Sequence, residues 1–350
     1  MTGLRPFFIR HRDNVIVFVS FASALLVGAV FFSFLGVNPW DAYSSMLRGA
    51  FGSQDALFTT LSRAAPYILA SLSVCVAFSS GMWNIGGEGQ LYLGAFAAAW
   101  AGFTLPTMPH VAMLFFVLSF GVLVGAAWAW IPGRLSLDLG MNLVVVTIML
   151  NSVGMLFTEY LATGPYAAPE ATSGSTVQIH ALARFAKYSG VSNLNSSIFI
   201  VLLMAVVIVI FMIWAVWGYE CRMIRLNPRF AFYGGIPVKS RQMLAMVLSG
   251  VLAGLAGALL VMGDQYRFLV AISPGYSWTA MILAMMVNYN PVSAILASIV
   301  YAAMSSGALE MELLMDIPSE VVEIMTCLAV LFVTAGIALA NRYANRMTEE

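Results

Sequence analysis

Residues 82–90, MWNIGGEGQ, set a carboxylate (Glu88) and two amides (Asn84, Gln90) among three glycines (Gly86, Gly87, Gly89), with apolar runs on both sides. An ionisable group between oily segments is expensive and by default suggests function: a contact for a passing solute, or a proton or sodium site. The glycines discourage a regular helix and permit close backbone approach or positive φ. Irregular backbone at membrane depth survives only where protein buries it or water lines it. The stretch therefore reads as a broken turn packed inside a helical bundle. Glu88 falls near a fresh helix N-terminus, where the dipole favours it. Two roles stay open for it, a conformational anchor between helices or a lining group of a solute path.

Further amides extend the candidate path. Asn142 and Asn151 stand nine residues apart, about half a turn out of phase on a helix, so they cannot share a narrow face. Interhelical hydrogen bonding is expected of at least one. Asn288 lies in NYNP. The path candidates are thus Asn84, Glu88, Gln90, Asn142, Asn151 and Asn288. Arg63, Glu159 and Asp264 fall near the outer ends of their helices and reach water by snorkelling. Enzyme chemistry has no footing here. The sequence contains no P-loop, no GxSxG elbow and no nucleophile–base pair. His11, His110 and His180 are scattered, as are Cys75, Cys221 and Cys327, so no metal site, cofactor or catalytic residue is expected.

The elements that must carry these groups follow from composition. Hydrophobic residues make up 61% of the 350 and charged residues 9%, which excludes an ordinary soluble domain. A membrane span needs about 20 apolar residues. Ten segments approach that length: 15–35, 59–80, 86–104, 111–131, 142–162, 197–217, 242–262, 277–289, 291–308 and 320–340. The expected fold is all-α and polytopic, one transmembrane domain over 1–350 with about ten helices. Placing the N-terminus inside puts Arg5, Arg10, Arg12, Arg134, Arg222, Arg225, Arg229, Lys239, Arg241, Arg342 and Arg346 on the cytoplasmic side. Arg48, Arg184, Lys187 and Arg267 fall outside, with Arg63 near that face. This asymmetry obeys the positive-inside rule and makes both termini cytoplasmic, 1–14 and 341–350. The basic N-terminus precedes a run too long for a signal peptide, so a retained first helix is expected. Net charge is zero, which gives no reason to expect a nucleic-acid partner.

Two loops are long enough to do work. Residues 163–196 form an external loop rich in Gly, Ser, Ala and Asn; residues 218–241 form a cytoplasmic one. Within the latter, Asn227 suits an N-cap, Pro228 the first helical position, and Gly234 with Gly235 a stop. The outcome is a short helix over 228–233 displaying Arg229, Phe230, Phe232 and Tyr233. It fits docking on a partner protein or lying on anionic headgroups. Gly250, Gly254 and Gly257 share one helix face and are assigned, with Gly86, Gly87 and Gly89, to close helix packing.

Two stretches, GMWNIGGEGQLYLGA and RLNPRFAFYGGIPVKSRQMLAMVLSGVLAGLAGA, resemble the membrane permeases of bacterial ABC importers of the ribose and branched-chain amino-acid group. The first is most similar to the longer permease of purine-nucleoside importers that work with basic-membrane-lipoprotein-type binding proteins. The resemblance implies that helix 228–233 couples to a separate ATPase subunit, which binds the ATP. The coupling set is then Arg222, Arg225, Asn227, Pro228, Arg229, Phe230, Tyr233, Gly234 and Gly235. It further implies a second, shorter permease, an external solute-binding lipoprotein or periplasmic protein, and a place in the bacterial inner membrane. Nucleosides are the expected cargo, with simple sugars or riboflavin as alternatives. An ion-coupled secondary transporter is the competing class; it calls for two broken helices in equivalent repeats, and one clear break is visible.

Overall fold

The computed structural model describes residues 26–34, 36–169, 174–188 and 193–315, with single helical positions at 321, 324 and 328. Among the described residues there is no strand; three isolated β-bridges lie in or against the 163–196 loop. Residues 26–34 are helical. The helices that follow are α1 (Pro39–Phe51), α2 (Gln54–Ser79), α3 (Gly87–Thr104), α4 (His110–Leu139), α5 (Leu143–Thr163) and α6 (Ile198–Ile213). Then come α7 (Val216–Leu226), α8 (Pro228–Tyr233), α9 (Val238–Leu259), α10 (Tyr276–Met286) and α11 (Pro291–Met315). A π-helical turn, Leu260–Gln265, extends α9.

Local chemistry explains the boundaries. Asn38, Asn142 and Asn227 cap α1, α5 and α8 through their side-chain oxygens. Gly140 ends α4 at φ 69°, a left-handed conformation that costs glycine little. Tyr266, at φ 58°, closes the π-helical turn.

Among the described residues, five helices are long and apolar enough to cross a membrane: α2, α4, α5, α9 with its π-turn, and α11. The α6–α7 pair makes a sixth if its 62° bend counts as one broken span. Three expected spans look different in the structure. The 86–104 segment is a helix of 18 residues, but its polar first turn keeps it out of that apolar set. The 197–217 segment stops at Ile213 and bends. The 277–289 segment holds 11 helical residues, about 16 Å, which cannot cross alone. The expected segments 15–35 and 320–340, and the termini 1–14 and 341–350, lie wholly or mostly outside the described residues.

The chain divides into two units, residues 1–60 with 301–350, and residues 61–300. In the first, Phe32, Ala42, Met46, Ala308 and Met311 are buried together. The second is organised around α3, which is buried along nearly its whole length and packs on α4, α5, α9 and α10. Small residues make that possible, because helices in lipid associate by close van der Waals approach. A methyl group on Gly94 would lie 2.5 Å from the Gly254 Cα, and one on Gly125 would lie 2.7 Å from it. A methyl on Gly257 would overlap the Leu91 carbonyl. Gly250 and Gly254 therefore meet Gly94 and the Gly121–Gly125 pair, and Gly257 meets Leu91 and Ala95, at a three-helix crossing of α3, α4 and α9.

Replacing Gly257 by Ala forces α9 off α3. We expect a loss of about 2–3 kcal/mol, in the range for overpacking a filled interior, read as a lower unfolding temperature of the detergent-solubilised protein. Gly234→Ala, where the nearest heavy atom would be 3.4 Å away, is the control that should leave it unchanged.

Candidate functional site

The motif at 82–90 is the break between α2 and α3. The helix stops at Ser79, Gly81 turns at φ 78°, and residues 82–85 run without helical bonds before α3 starts at Gly87. Backbone groups freed in an apolar interior must find partners. Here polar side chains supply them. Asn151 of α5 accepts from the Gly89 N–H (2.7 Å) and donates to the Ile85 carbonyl (2.7 Å), standing in for one turn of helix. Thr147, one turn earlier, accepts from the Ile85 N–H at 3.3 Å. Gly89 has to be glycine because a methyl there would press on the Asn151 Cα at 3.0 Å.

Inside the break, Asn84 and Gln90 form a reciprocal amide pair, with both hydrogen bonds at 3.2 Å. Asn84 also accepts from the Gly86 N–H (2.9 Å) and donates to the Ser249 hydroxyl (2.9 Å) on α9. Ser249 in turn lies 2.9 Å from the Ser73 hydroxyl on α2. One connected network thus ties α2, the break, α3 and α9.

Glu88, 2% exposed, takes a different partner. Its Oε2 accepts from the backbone N–H of Ser277 (2.9 Å), a bond across 189 residues to the first turn of α10. The carboxylate thus sits in the first turn of α3 and against the start of α10, where both helix dipoles favour negative charge. No cationic side chain pairs with it among the described residues. Ser273 caps the turn leading into α10 by accepting from Gly275 and Tyr276 N–H groups, and its carbonyl accepts from the Tyr92 hydroxyl. A cavity of about 10 Å³, room for about one water, is bordered by Ser73, Asn84, Gly87 and Ser277.

The structure thus gathers Asn84, Glu88, Gln90 and Asn151 into one cluster and places the other two candidates elsewhere. Asn142 is exposed and caps α5 by accepting from the Val145 N–H. Asn288 is exposed in the α10–α11 turn at φ 52°. Reading the sequence missed Thr147, Ser73, Ser249, Ser273 and Ser277. Hydroxyls are common in apolar helices and carried no spacing signal here, although Thr147 and Asn151, four residues apart, share a face.

The coupling set also separates. Asn227 accepts from the Phe230 N–H (3.0 Å), Pro228 opens α8, and Gly235 turns at φ 83°. Ala231 is buried, while Phe230 is 61% and Tyr233 87% exposed, and Arg229 is exposed beside them. Arg222 instead donates to the Met212 carbonyl at the end of α6 (2.5 Å), and Arg225 lies over the Tyr289 ring. Arg241 pairs with Glu220 across α9 and α7, and Lys239 lies 3.9 Å from Asp138, which also binds Arg134. The start of α9, the end of α4 and α8 therefore share one end of the unit.

Long apolar helices around a buried polar break mark a polytopic membrane protein. Residues 56–334 match the family described as the permease component of branched-chain amino acid transport systems, and the chain belongs to that family. It is 29% identical to the guanosine ABC transporter permease protein NupP of Bacillus subtilis, over 94% of this chain and 95% of that protein. It is 28% identical to the nucleoside ABC transporter permease protein NupB of Lactococcus lactis, over 93% and 91%. It is 29% identical to the glucose ABC transporter permease protein TsgB13 of Haloferax volcanii, over 89% and 84%. No solved structure matches.

Asn151→Leu strands two buried backbone groups. At about 1–3 kcal/mol for each unsatisfied group, we expect a fall of about 2–6 kcal/mol in unfolding free energy in detergent. Asn142→Ala should cost about 1 kcal/mol, the worth of an exposed cap. Equal losses from the two variants would show that Asn151 does not hold the break.

Proposed function

We propose that this chain is the longer permease subunit of an ABC importer for nucleosides in a bacterial inner membrane. The observation that carries the importer reading is α8, a capped six-residue helix that keeps Ala231 inward and Arg229, Phe230 and Tyr233 outward. So short a helix has no stability of its own, and exposed aromatics beside an arginine suit the cleft of a separate, ATP-binding subunit. Arg134, Lys239 and Arg241 lie at the same end, which supports its being cytoplasmic. The chain would then cross about ten times with both termini inside, as one permease domain. The 163–196 loop would face a solute-binding protein, and a shorter permease would complete the path.

The cargo reading rests on the two nucleoside-type relatives, which align over almost the whole chain. A glucose-type relative of equal identity favours a sugar as the second reading. Guanosine and glucose are both neutral and rich in hydroxyls. A lining of amides and hydroxyls matches that chemistry, and weak polar contacts allow release. Asn84 and Gln90 are the path-lining residues we favour. Glu88 acts as the anchor that holds α10 to α3, and Asn151 as the support of the break.

Arg229→Glu combined with Phe230→Ala should abolish co-purification of the ATPase subunit while membrane insertion is retained. Normal complex yield from that variant would refute docking through α8. Competition of uptake by unlabelled guanosine, inosine and glucose decides the cargo: inhibition by glucose alone would reject the nucleoside reading.

A further inference from the structure

The docking role of α8 leaves a physical gap, because α8 lies on the surface while Asn84, Glu88 and Gln90 are buried. A chain of contacts spans that gap. The α7 helix, which runs directly into α8, places the Arg225 guanidinium 5.2 Å from the centre of the Tyr289 ring. The same ring packs at 5.3 Å on Phe78 near the end of α2, and Phe78 stacks at 5.1 Å on Trp83 in the break. Tyr289 closes the C-terminal end of α10 by donating its N–H to the Ala284 carbonyl (2.9 Å). The other end of α10 is the Ser277 N–H held by Glu88.

The turn that carries Tyr289 is tight: Asn288 and Tyr289 both have left-handed backbones, at φ 52° and 61°. At the far end a small cavity lies between Ser277 and Ser73.

We propose that Arg225 and Tyr289 are positioning residues for coupling. They transmit displacement of the α7–α8 elbow to α10, which moves as a strut, lifts Ser277 off Glu88 and widens the break into the solute path. Arg225 thereby leaves the set that touches the ATPase and joins the set that carries its motion inward. The relay rests on the docking role of α8.

The test uses the importer assembled with its ATPase in liposomes, measuring solute uptake and ATP hydrolysis on the same preparation. Tyr289→Phe keeps the ring and should keep uptake per ATP within about twofold of the unaltered chain. Tyr289→Leu should co-purify with the ATPase and still support hydrolysis, yet lose about two- to fivefold in uptake per ATP, the size expected of a cation–π contact made by an exposed arginine. Arg225→Gln should lose as much, and the double variant no more than either single, because both act through one contact. Arg225 is exposed, so its variant carries the test if Tyr289→Leu fails to assemble. Unchanged uptake per ATP in Arg225→Gln would overturn the relay, as would additive losses in the double variant. Failure of the unaltered chain to bind any ATPase would remove the docking reading instead, a result distinguishable from either.

Discussion

An interrupted helix inside an apolar bundle must have every freed N–H and carbonyl satisfied, and much of this structure follows from that. With no water at membrane depth, each orphan costs more than a typical folded-state hydrogen bond returns. The break after α2 meets the requirement with borrowed groups: Asn151 for Gly89 and Ile85, Asn84 for Gly86, Thr147 for Ile85. Asn151 and Thr147 come from α5, which must then stay in register with the break. The polar residues that first look like a binding site thus also fix α5 and α9 against α3.

The glycine crossing supplies the opposite kind of constraint. α3, α4 and α9 approach until Gly94, Gly125 and Gly254 leave no room for a methyl. Such contacts tolerate almost no sliding, because the repulsive wall is steep and interiors are close-packed. α10 is joined to α3 differently, by the hydrogen bonds of Glu88 and Tyr92 to the start of α10 and its preceding turn. Hydrogen bonds of this kind break and re-form between discrete arrangements. A close-packed frame and a helix held by hydrogen bonds thus stand within one unit.

Legibility in the sequence divided along the same line. Features set by neighbours in the chain were readable. The break at 82–90, the helix at 228–233 with its Asn cap and glycine stop, and the stripe of Gly250, Gly254 and Gly257 all follow from local rules. The Gly121–Gly125 pair was equally readable from its spacing and was passed over. What sequence reading could not reach was pairing over distance. Nothing near Glu88 announces Ser277, and nothing in Arg225 announces Tyr289, because a backbone N–H and an aromatic face are offered by any sequence. Asn142 and Asn151 looked alike as amides in one apolar segment; only the fold makes one an exposed cap and the other a buried clamp. The helix count suffered from the same blindness, since an apolar run of 13 residues over 277–289 cannot say that it contains a short half-helix.

Glu88 shows how electrostatics bears on mechanism. A buried carboxylate with no cation beside it is normally a reason to look for a proton or a metal. Here the start of α10 supplies an oriented N–H to Oε2, and the group stands in the first turn of α3, so its partners are backbone dipoles that cannot dissociate. The carboxyl group is thereby matched to protein geometry. In an ATP-driven permease the same arrangement is an advantage: moving α10 takes the N–H away and leaves the carboxylate poorly solvated, so the latched state is restored once the pull on α10 ends.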